Sequence, residues 1–281
     1  MSLANPTGSP SGLAGLGFSI IYNASHVINF AQGEFVMLPA FFVLAAMKLG
    51  GLSFPAAMAL GMAISLAVLG VLFKQLVVAP IIRHGVLPVV ISTIALAILM
   101  KEGVKEFYAA DAQPFPVAWA TDNLHLGDTV ISVQNLVIIG VALAAVAALQ
   151  LFLGGTRTGR RMQATAQNPG LALALGIPVQ RMILYTFLIN AALVALASFL
   201  VSPIYLAKFT NGEVLGLAAF VAAIVGGFNQ VRGAIVGGLL LGVIDNFVAV
   251  YWSAQYRAAI PLFLLIAVIL LRPQGLLGRA E

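Results

Sequence analysis

Long apolar runs follow one another along almost the whole chain and limit its possible folds more than any other feature. A helix that crosses a bilayer needs about 20 mainly apolar residues. Nine runs approach this length, and they are 12–30, 34–49, 54–78, 86–106, 131–153, 182–202, 214–230, 232–252 and 258–271. The sequence therefore predicts an all-α integral membrane protein, a polytopic bundle of transmembrane helices.

The number of spans depends on how the short and interrupted runs are interpreted. Runs 34–49 and 258–271 are short for the hydrocarbon layer, and the stretch 214–252 is interrupted by glycines at 226–227. Such segments are typical of broken or re-entrant helices. At roughly 20 residues per span, we expect about eight to ten spans in a single transmembrane domain over residues 1–281.

Charged residues are few, and their distribution predicts the orientation of the chain. They make up 8% of the sequence, against about 25% in an average soluble domain. Basic residues concentrate in the loop 154–181, whereas the connection 107–130 has neither Lys nor Arg. Because loops rich in Lys and Arg stay in the cytoplasm, we expect 154–181 inside and the N-terminus outside. This pattern also accounts for the net charge of +5, so we expect no nucleic-acid binding.

Four charged residues of both signs close the run 86–106: Lys101, Glu102, Lys105 and Glu106. A mixed group of this kind is typical of a helix end at the membrane surface. The alternative is a binding site for a zwitterion, and the sequence leaves both interpretations open.

The chain lacks the residue patterns of nucleotide hydrolysis and of metal chemistry. It contains neither G-x-x-x-x-G-K-[ST] nor H-E-x-x-H, and it has no cysteine. Its three histidines, His26, His84 and His125, are far apart in sequence. We therefore expect a protein that is not an enzyme, that holds no metal or other cofactor, and that takes its energy from a partner.

A polar segment from His26 to Phe35 separates the first two apolar runs. It contributes Asn29, Gln32 and Glu34, and polar groups at membrane depth need partners. One interpretation is a simple turn between helices, with Glu34 near the N-terminus of the next helix, where negative charge is favoured. The other is a broken helix that lines a substrate path.

A glycine-rich stretch interrupts the apolar run 214–252. Gly233 and Gly237 form a G-x-x-x-G pair, and small residues at this spacing let helix backbones approach closely. We expect close helix packing at five glycines, which are Gly226, Gly227, Gly233, Gly237 and Gly238.

Three polar residues accompany these glycines: Asn229, Asp245 and Asn246. An acidic side chain within an apolar span usually faces a cavity or a partner. We therefore expect Asp245 to face the interior of the protein. With Asn29, Gln32 and Glu34, these three residues are the candidates for the substrate path.

The loop 154–181 contains the signals of a short helix. Asn168 suits the N-cap, Pro169 the first helical position and Gly176 the left-handed position after the last turn. Helical residues are expected from about 169 to 175. Leu171 and Leu175, four residues apart, share one face of this helix. Such a helix either lies on the membrane surface or docks into a groove on a partner.

Three segments resemble a known family, the permeases of bacterial branched-chain amino acid ABC transporters, in the LivH-like subfamily. The segments are Ile28-Asn29-Phe30-Ala31-Gln32-Gly33-Glu34-Phe35-Val36-Met37-Leu38, then Ala219-Phe220-Val221-Ala222-Ala223-Ile224-Val225-Gly226-Gly227 continuing to Gly242, and Arg272-Pro273-Gln274-Gly275-Leu276-Leu277-Gly278. The first two are specific in combination, whereas the last is shared with the sister permease. The resemblance spans nearly the whole chain.

The resemblance implies one permease subunit of a heteromeric importer in the bacterial inner membrane. Its implied partners are a second related permease, two cytoplasmic ATP-binding subunits and a periplasmic substrate-binding protein. The partner subunits hydrolyse ATP, and the expected substrates are branched-chain or other hydrophobic amino acids. Urea or amides, aromatic acids and sugars remain alternatives, and an ion-coupled secondary transporter is the less favoured class.

In such a permease the loop 154–181 corresponds to the element that couples to the ATPase. Its candidate coupling residues are Arg160, Arg161, Asn168, Leu171, Leu175 and Gly176.

The sequence departs from the family pattern at several of these positions. The family usually has His at Gln32, a Gly near Pro39 and Glu at Asp245, so the substrate stays open. The acidic residues expected after the coupling loop are replaced from Pro169 to Leu171. We therefore expect docking through apolar contacts.

Overall fold

The computed structural model describes residues 8–25, 28–108, 111–117, 123–126, 129–227, 231–251, 259–272 and 274–278. The α-helices in these ranges are α1 Gly8–Ser25, α2 Gln32–Gly50, α3 Phe54–Ser65, α4 Ala79–Ile81, α5 Val86–Tyr108, α6 Val133–Gly155, α7 Arg157–Gln167, α8 Pro169–Ala174, α9 Val179–Tyr205, α10 Asn211–Gly226, α11 Val231–Tyr251 and α12 Ala259–Leu271. A π-helical segment, Leu66–Val78, and a 3-10 turn, Ile82–His84, complete one continuous helical rod from α3.

The prediction of a polytopic α-helical membrane protein is confirmed. Each of the nine apolar runs corresponds to a helix, and five helices in the described ranges are long and apolar enough to cross a membrane. These five are Gln32–Gly50, Phe54–His84, Val86–Tyr108, Val133–Gly155 and Val179–Tyr205. Besides these helices, β1 Asn123–Leu126 pairs with β2 Thr129–Ser132 in an antiparallel two-stranded sheet.

Two helix boundaries differ from those expected. The first run was expected to reach residue 30, but α1 ends at Ser25. Residues 79–85, which separate the apolar runs 54–78 and 86–106, are helical as far as His84, and the helix ends where Gly85 takes a φ of +107°. Hydropathy shows where a chain can enter lipid, whereas a positive φ, which favours glycine, sets where this rod stops.

α1 lies inside the bundle and packs against α9, α10 and α11. Small residues make this possible. A Cβ added to Gly15 would lie 3.0 Å from the carbonyl oxygen of Ala219 and 3.3 Å from the side chain of Ala222. Close approach of this kind gives helices in lipid the van der Waals contact that holds them together.

The glycine-rich stretch forms the contact between α10 and α11. Gly226 and Gly233 face each other backbone to backbone, and Gly237 packs against Ala222 and Gly226. α10 ends at Gly226, and Gly227 follows with a φ of +112°. Gly238 is also buried.

The C-terminal segment caps the buried end of α10. Leu276 and Leu277 donate backbone hydrogen bonds of 2.9 and 3.0 Å to the carbonyls of Val225 and Gly226. Gly275, with a φ of +78°, lies directly against Gly227. Carbonyls that a helix leaves unpaired in its last turn are thus satisfied by the chain terminus.

Contacts between distant segments place the basic loops at one end of the bundle. Lys74 Nζ donates a hydrogen bond of 3.1 Å to Gln180 Oε1, which joins the end of the α3 rod to the start of α9. Away from these loops, Gln113 and Ala207 exchange backbone hydrogen bonds of 2.9 Å. The connection that lacks Lys and Arg therefore meets the far end of α9.

We predict that the end carrying 154–181 is cytoplasmic, because its basic residues hold it there. The chain has no cysteine, so single-cysteine variants are direct reporters. Asp111→Cys should react with a membrane-impermeant maleimide on intact cells, and Arg160→Cys only in inside-out vesicles. The reverse pattern of labelling would contradict this orientation.

We also predict that Gly216→Ala destabilises the bundle. The added Cβ would lie 2.6 Å from the Cα of Gly33 on α2, and overpacking of this kind costs about 1–3 kcal/mol. The melting temperature of the purified protein in detergent should fall. Gly140→Ala on α6, where a Cβ meets nothing within 4 Å, is the matched control and should leave it unchanged.

Candidate functional site

α2 begins inside the protein, and side chains satisfy the backbone at this buried helix start. Asn29 Oδ1 accepts a hydrogen bond of 3.0 Å from the Ala31 N–H. Thr93 Oγ1, on α5, accepts one of 3.3 Å from the Phe30 N–H. Because lipid offers no hydrogen bonds, an irregular backbone at membrane depth needs such partners. Residues 28–31 thus form a turn before α2 whose backbone is held by side chains, and a place for this segment on a substrate path stays a prediction.

A pair of buried amides joins α2 to α9. Gln32 Nε2 donates to Asn190 Oδ1 at 2.7 Å, and Asn190 Nδ2 donates back to Gln32 Oε1 at 3.2 Å. Gln32 Nε2 also donates to the carbonyl of Ala14 on α1, at 3.3 Å. One amide pair thus holds three helices together.

The position of Asn190 along α9 gives the depth of this pair. It lies eleven residues after Val179, the first residue of the helix, or about 16 Å along the axis at roughly 1.5 Å per residue. The hydrocarbon layer is about 30 Å thick. With Val179 placed at one edge of this layer, the amide pair lies near its middle, and α2 starts at the level of the pair.

A second contact between α2 and α9 lies at the proline of α2. Pro39 is inside the helix, where its ring disturbs the regular hydrogen bonding of the preceding turn. The next residue, Ala40, donates its N–H to Ser198 Oγ on α9 at 3.1 Å. α9 thus supports α2 both at its start and at its proline.

Glu34 is the buried carboxylate of this region, with 5% of its surface exposed. Its carboxylate lies against Gly212 at the start of α10, where any larger side chain would collide with it. Its Oε2 atom has no hydrogen-bond partner among the described residues.

A cavity of about 570 Å³ adjoins Glu34 and Gln32. It lies between the first turn of α2, the C-terminal half of α5 and the first half of α10, with Phe18 of α1 at one side. Its polar lining includes Lys101 and Glu102 from α5 and Glu213 from α10. Lys101 and Glu213 form an ion pair across the two helices. Part of the charged group at the end of α5 therefore faces a cavity.

The structure brings only some of the predicted path residues together. Asn29, Gln32 and Glu34 share the start of α2. Asn229 lies outside the described residues. Asp245 and Asn246 belong to α11, but their side chains are outside the described part of the structure, so the expectation for Asp245 stays a prediction.

Several residues of this region were missed by sequence reasoning. Asn190 and Ser198 lie in an apolar run, where an amide or hydroxyl is itself a signal of an interhelical hydrogen bond. Glu213 had no such signal, because an acidic residue at a helix start is ordinary. No sequence pattern indicated the hydrogen bond that Thr93 accepts either.

The short helix expected in the loop 154–181 is present as α8. The Asn168 side chain accepts a hydrogen bond of 2.9 Å from the Leu171 N–H. At the other end, Gly176 takes a φ of +75°, and its N–H and that of Ile177 donate to the carbonyls of Leu173 and Ala172. These two bonds define a Schellman motif, and the predicted caps are confirmed.

The exposed face of α8 is apolar. Leu171 and Leu175 are 59% and 71% exposed, and Leu173, on another side, is 66% exposed. Arg160 and Arg161 are also exposed, on the preceding helix α7. Sequence reasoning missed α7, because Gly159 and a high density of charge obscured its helical pattern.

We predict that Gln32 and Asn190 depend on each other energetically. Gln32→Leu or Asn190→Leu alone leaves the other buried amide without its partner. Each should lower the free energy of unfolding by about 1–2 kcal/mol. The double variant should lose less than the sum of the two, since both polar groups are gone. Thermal unfolding of the three variants in detergent measures this coupling, and strict additivity would contradict it.

Comparison with known proteins gives a consistent result. The family model described as branched-chain amino acid transport system / permease component matches residues 6–269. The chain is 31% identical to the high-affinity branched-chain amino acid transport system permease protein LivH of Escherichia coli K12, over 98% of this chain and 93% of that protein. It is 32% identical to BraD, the corresponding permease protein of Pseudomonas aeruginosa, with the same coverage.

One solved structure is similar in fold. PsaBC from Streptococcus pneumoniae, solved in complex with Fab, matches 95% of this chain and 90% of its own chain with a TM-score of 0.51. At 14% sequence identity this similarity concerns the fold alone.

Proposed function

The chain belongs to the family of permease components of branched-chain amino acid transport systems, and from this premise we propose that it imports branched-chain or other hydrophobic amino acids. It is a multi-pass membrane protein and a transport component of an ABC transporter. The match of the family model to residues 6–269 is the observation that carries this proposal.

The geometry at the start of α2 supports a transport role. A helix that begins near the middle of the bilayer places polar groups where a substrate must pass. Gln32 and Glu34 line a cavity beside this start, and Asn29 supports its backbone. A bundle with only a structural role has no need of a polar break at this depth, because each buried polar group has to be compensated.

We further propose the composition of the complex. The chain pairs with a second, related permease, with two cytoplasmic ATP-binding subunits and with a periplasmic substrate-binding protein, in the bacterial inner membrane. LivH and BraD are each named as the permease protein of a high-affinity branched-chain amino acid transport system, and a permease that is one part of a larger system supports a complex with further subunits. ATP hydrolysis then belongs to the partner subunits.

The element proposed to receive the ATPase is α8. Leu171 and Leu175 form an exposed apolar face at the end of the bundle predicted to be cytoplasmic. Burying a leucine contributes roughly 1.5–3 kcal/mol, so an apolar groove on the ATPase would gain affinity from both. Arg160 and Arg161 on α7 are available for polar contacts at the rim.

Uptake by the reconstituted complex tests the proposed function. Proteoliposomes that contain the permease with its partners should transport labelled L-leucine only under two conditions. ATP must be on the side of the membrane that carries the ATP-binding subunits, and the binding protein must be on the opposite side. A protonophore should leave this uptake intact. ATP-independent uptake driven by an ion gradient would instead make the chain a secondary transporter.

We predict that charging the exposed face of α8 uncouples the complex. Leu171→Glu combined with Leu175→Glu should release the ATPase or abolish substrate-stimulated ATP hydrolysis, because both apolar contacts are lost. Co-purification and hydrolysis rates measure the two effects. Leu173→Glu, the same change on another side of α8, is the matched control and should assemble and couple normally.

If the double variant retains its ATPase subunits and hydrolyses ATP like the unaltered complex, α8 is not the coupling element.

A further inference from the structure

The lining of the cavity beside Glu34 divides into a charged part and an apolar part. The charged part holds Glu34, Lys101, Glu102 and Glu213. The apolar part holds the aromatic rings of Phe18, Phe30 and Phe220 with aliphatic side chains of α5 and α10. Its volume of about 570 Å³ falls within the roughly 300–1,000 Å³ of ligand pockets.

Glu34 is the strongest sign that the charged part receives a ligand. Its side chain is buried, it lines the cavity, and its Oε2 has no hydrogen-bond partner in the described ranges. A buried carboxylate oxygen without a partner is costly, and native proteins satisfy nearly all such groups. A donor that enters the cavity would satisfy this oxygen.

The balance of charge selects the kind of donor. Three carboxylates and one ammonium group line the cavity. Lys101 pairs with Glu213 and Lys105 pairs with Glu102, so the ionised side chains leave the single negative charge of Glu34 in excess. This favours a positively charged group beside Glu34. Lys101 is held at the cavity by its ion pair with Glu213 and offers donors to a negatively charged group. Both signs are therefore available within one cavity, as a zwitterion requires.

The aromatic part suits an apolar side chain. Phe18 and Phe220 pack edge to face with ring centroids 5.5 Å apart, and Phe30 lies 6.4 Å from Phe220. Phe30 is 46% exposed, so it leaves apolar surface uncovered. An aliphatic ligand that covers it gains hydrophobic free energy in proportion to the area removed from water.

We propose that this cavity binds the transported amino acid, with Glu34 accepting hydrogen bonds from its ammonium group, Lys101 donating to its carboxylate and the three phenylalanines contacting its side chain. This inference rests on the proposed function, which it extends to a named binding site. It also gives the charged group at the end of α5 the second of the two roles that the sequence left open.

Photocrosslinking in the assembled transporter tests the location. Photoleucine, the diazirine analogue of L-leucine, is irradiated with the complete complex, and mass spectrometry locates the adducts. We expect adducts on peptides that contain Phe30, Phe220 or the cavity face of α5, and we expect excess L-leucine to suppress them. This measurement needs no variant, so it does not depend on how a substitution folds.

The role of Glu34 is tested by comparing two competitors. L-leucine carries an ammonium group, whereas 2-hydroxy-4-methylpentanoate has a hydroxyl in its place. In the unaltered complex, L-leucine should suppress the adducts at a concentration about tenfold lower, or less, than the hydroxy acid requires. This difference is expected for a charge-assisted hydrogen bond. Glu34→Gln should reduce this preference towards equality, an effect that a merely structural role would not produce. Asp111→Asn, an exposed carboxylate outside the cavity, is the control and should keep the preference.

The outcomes separate this inference from the proposed function. If the complex imports L-leucine but the suppressible adducts lie elsewhere or are absent, the cavity is not the binding site, although the function stands. If Glu34→Gln assembles and keeps the full preference for L-leucine, Glu34 does not bind the ammonium group. If the unaltered complex imports no amino acid at all, the proposed function itself fails.

Discussion

The requirement that polar groups within the bilayer find partners inside the protein governs this structure. α2 starts near the middle of the hydrocarbon layer, and its start is stable because Asn29 and Thr93 satisfy the backbone while Gln32 and Asn190 satisfy each other. Lipid can replace none of these bonds. Contacts from α1, α5 and α9 therefore support the start of α2, and the cavity lies beside it.

Small residues make this arrangement possible. Gly33 meets Gly212 and Gly216 where α2 approaches α10, and a Cβ at Gly17 would collide with Asn190. Close backbones leave little space for lipid or water and bring side chains from distant parts of the chain into contact. The same property that gives the bundle its van der Waals stability thus positions its polar groups.

Local features of this fold were predictable from the sequence, and non-local ones were not. The caps of α8 depend on residues within nine positions of one another, so Asn168 and Gly176 sufficed. Each apolar run carries its own hydropathy, so each run corresponds to a helix, whereas the helix boundaries and the charged helix α7 were harder to predict. Gln32 and Asn190 are 158 residues apart, and no local pattern pairs them. The cavity combines charges from α2, α5 and α10, and their meeting depends on glycine contacts that the sequence does not specify.

The order of the elements suggests how a movement at α8 would reach the cavity. α8 leads directly into α9, and α7 packs against α1 and α9. Asn190 on α9 holds Gln32, the first residue of α2, and Gln32 adjoins Glu34 in the cavity lining. Packed helices transmit displacement because their interiors have few voids. A partner that moved α8 would therefore pull on α9, and a shift of α9 against α2 would break the amide pair and leave two buried polar groups without partners. The amide pair thus opposes independent movement of the two helices, so that α2 and α9 move together.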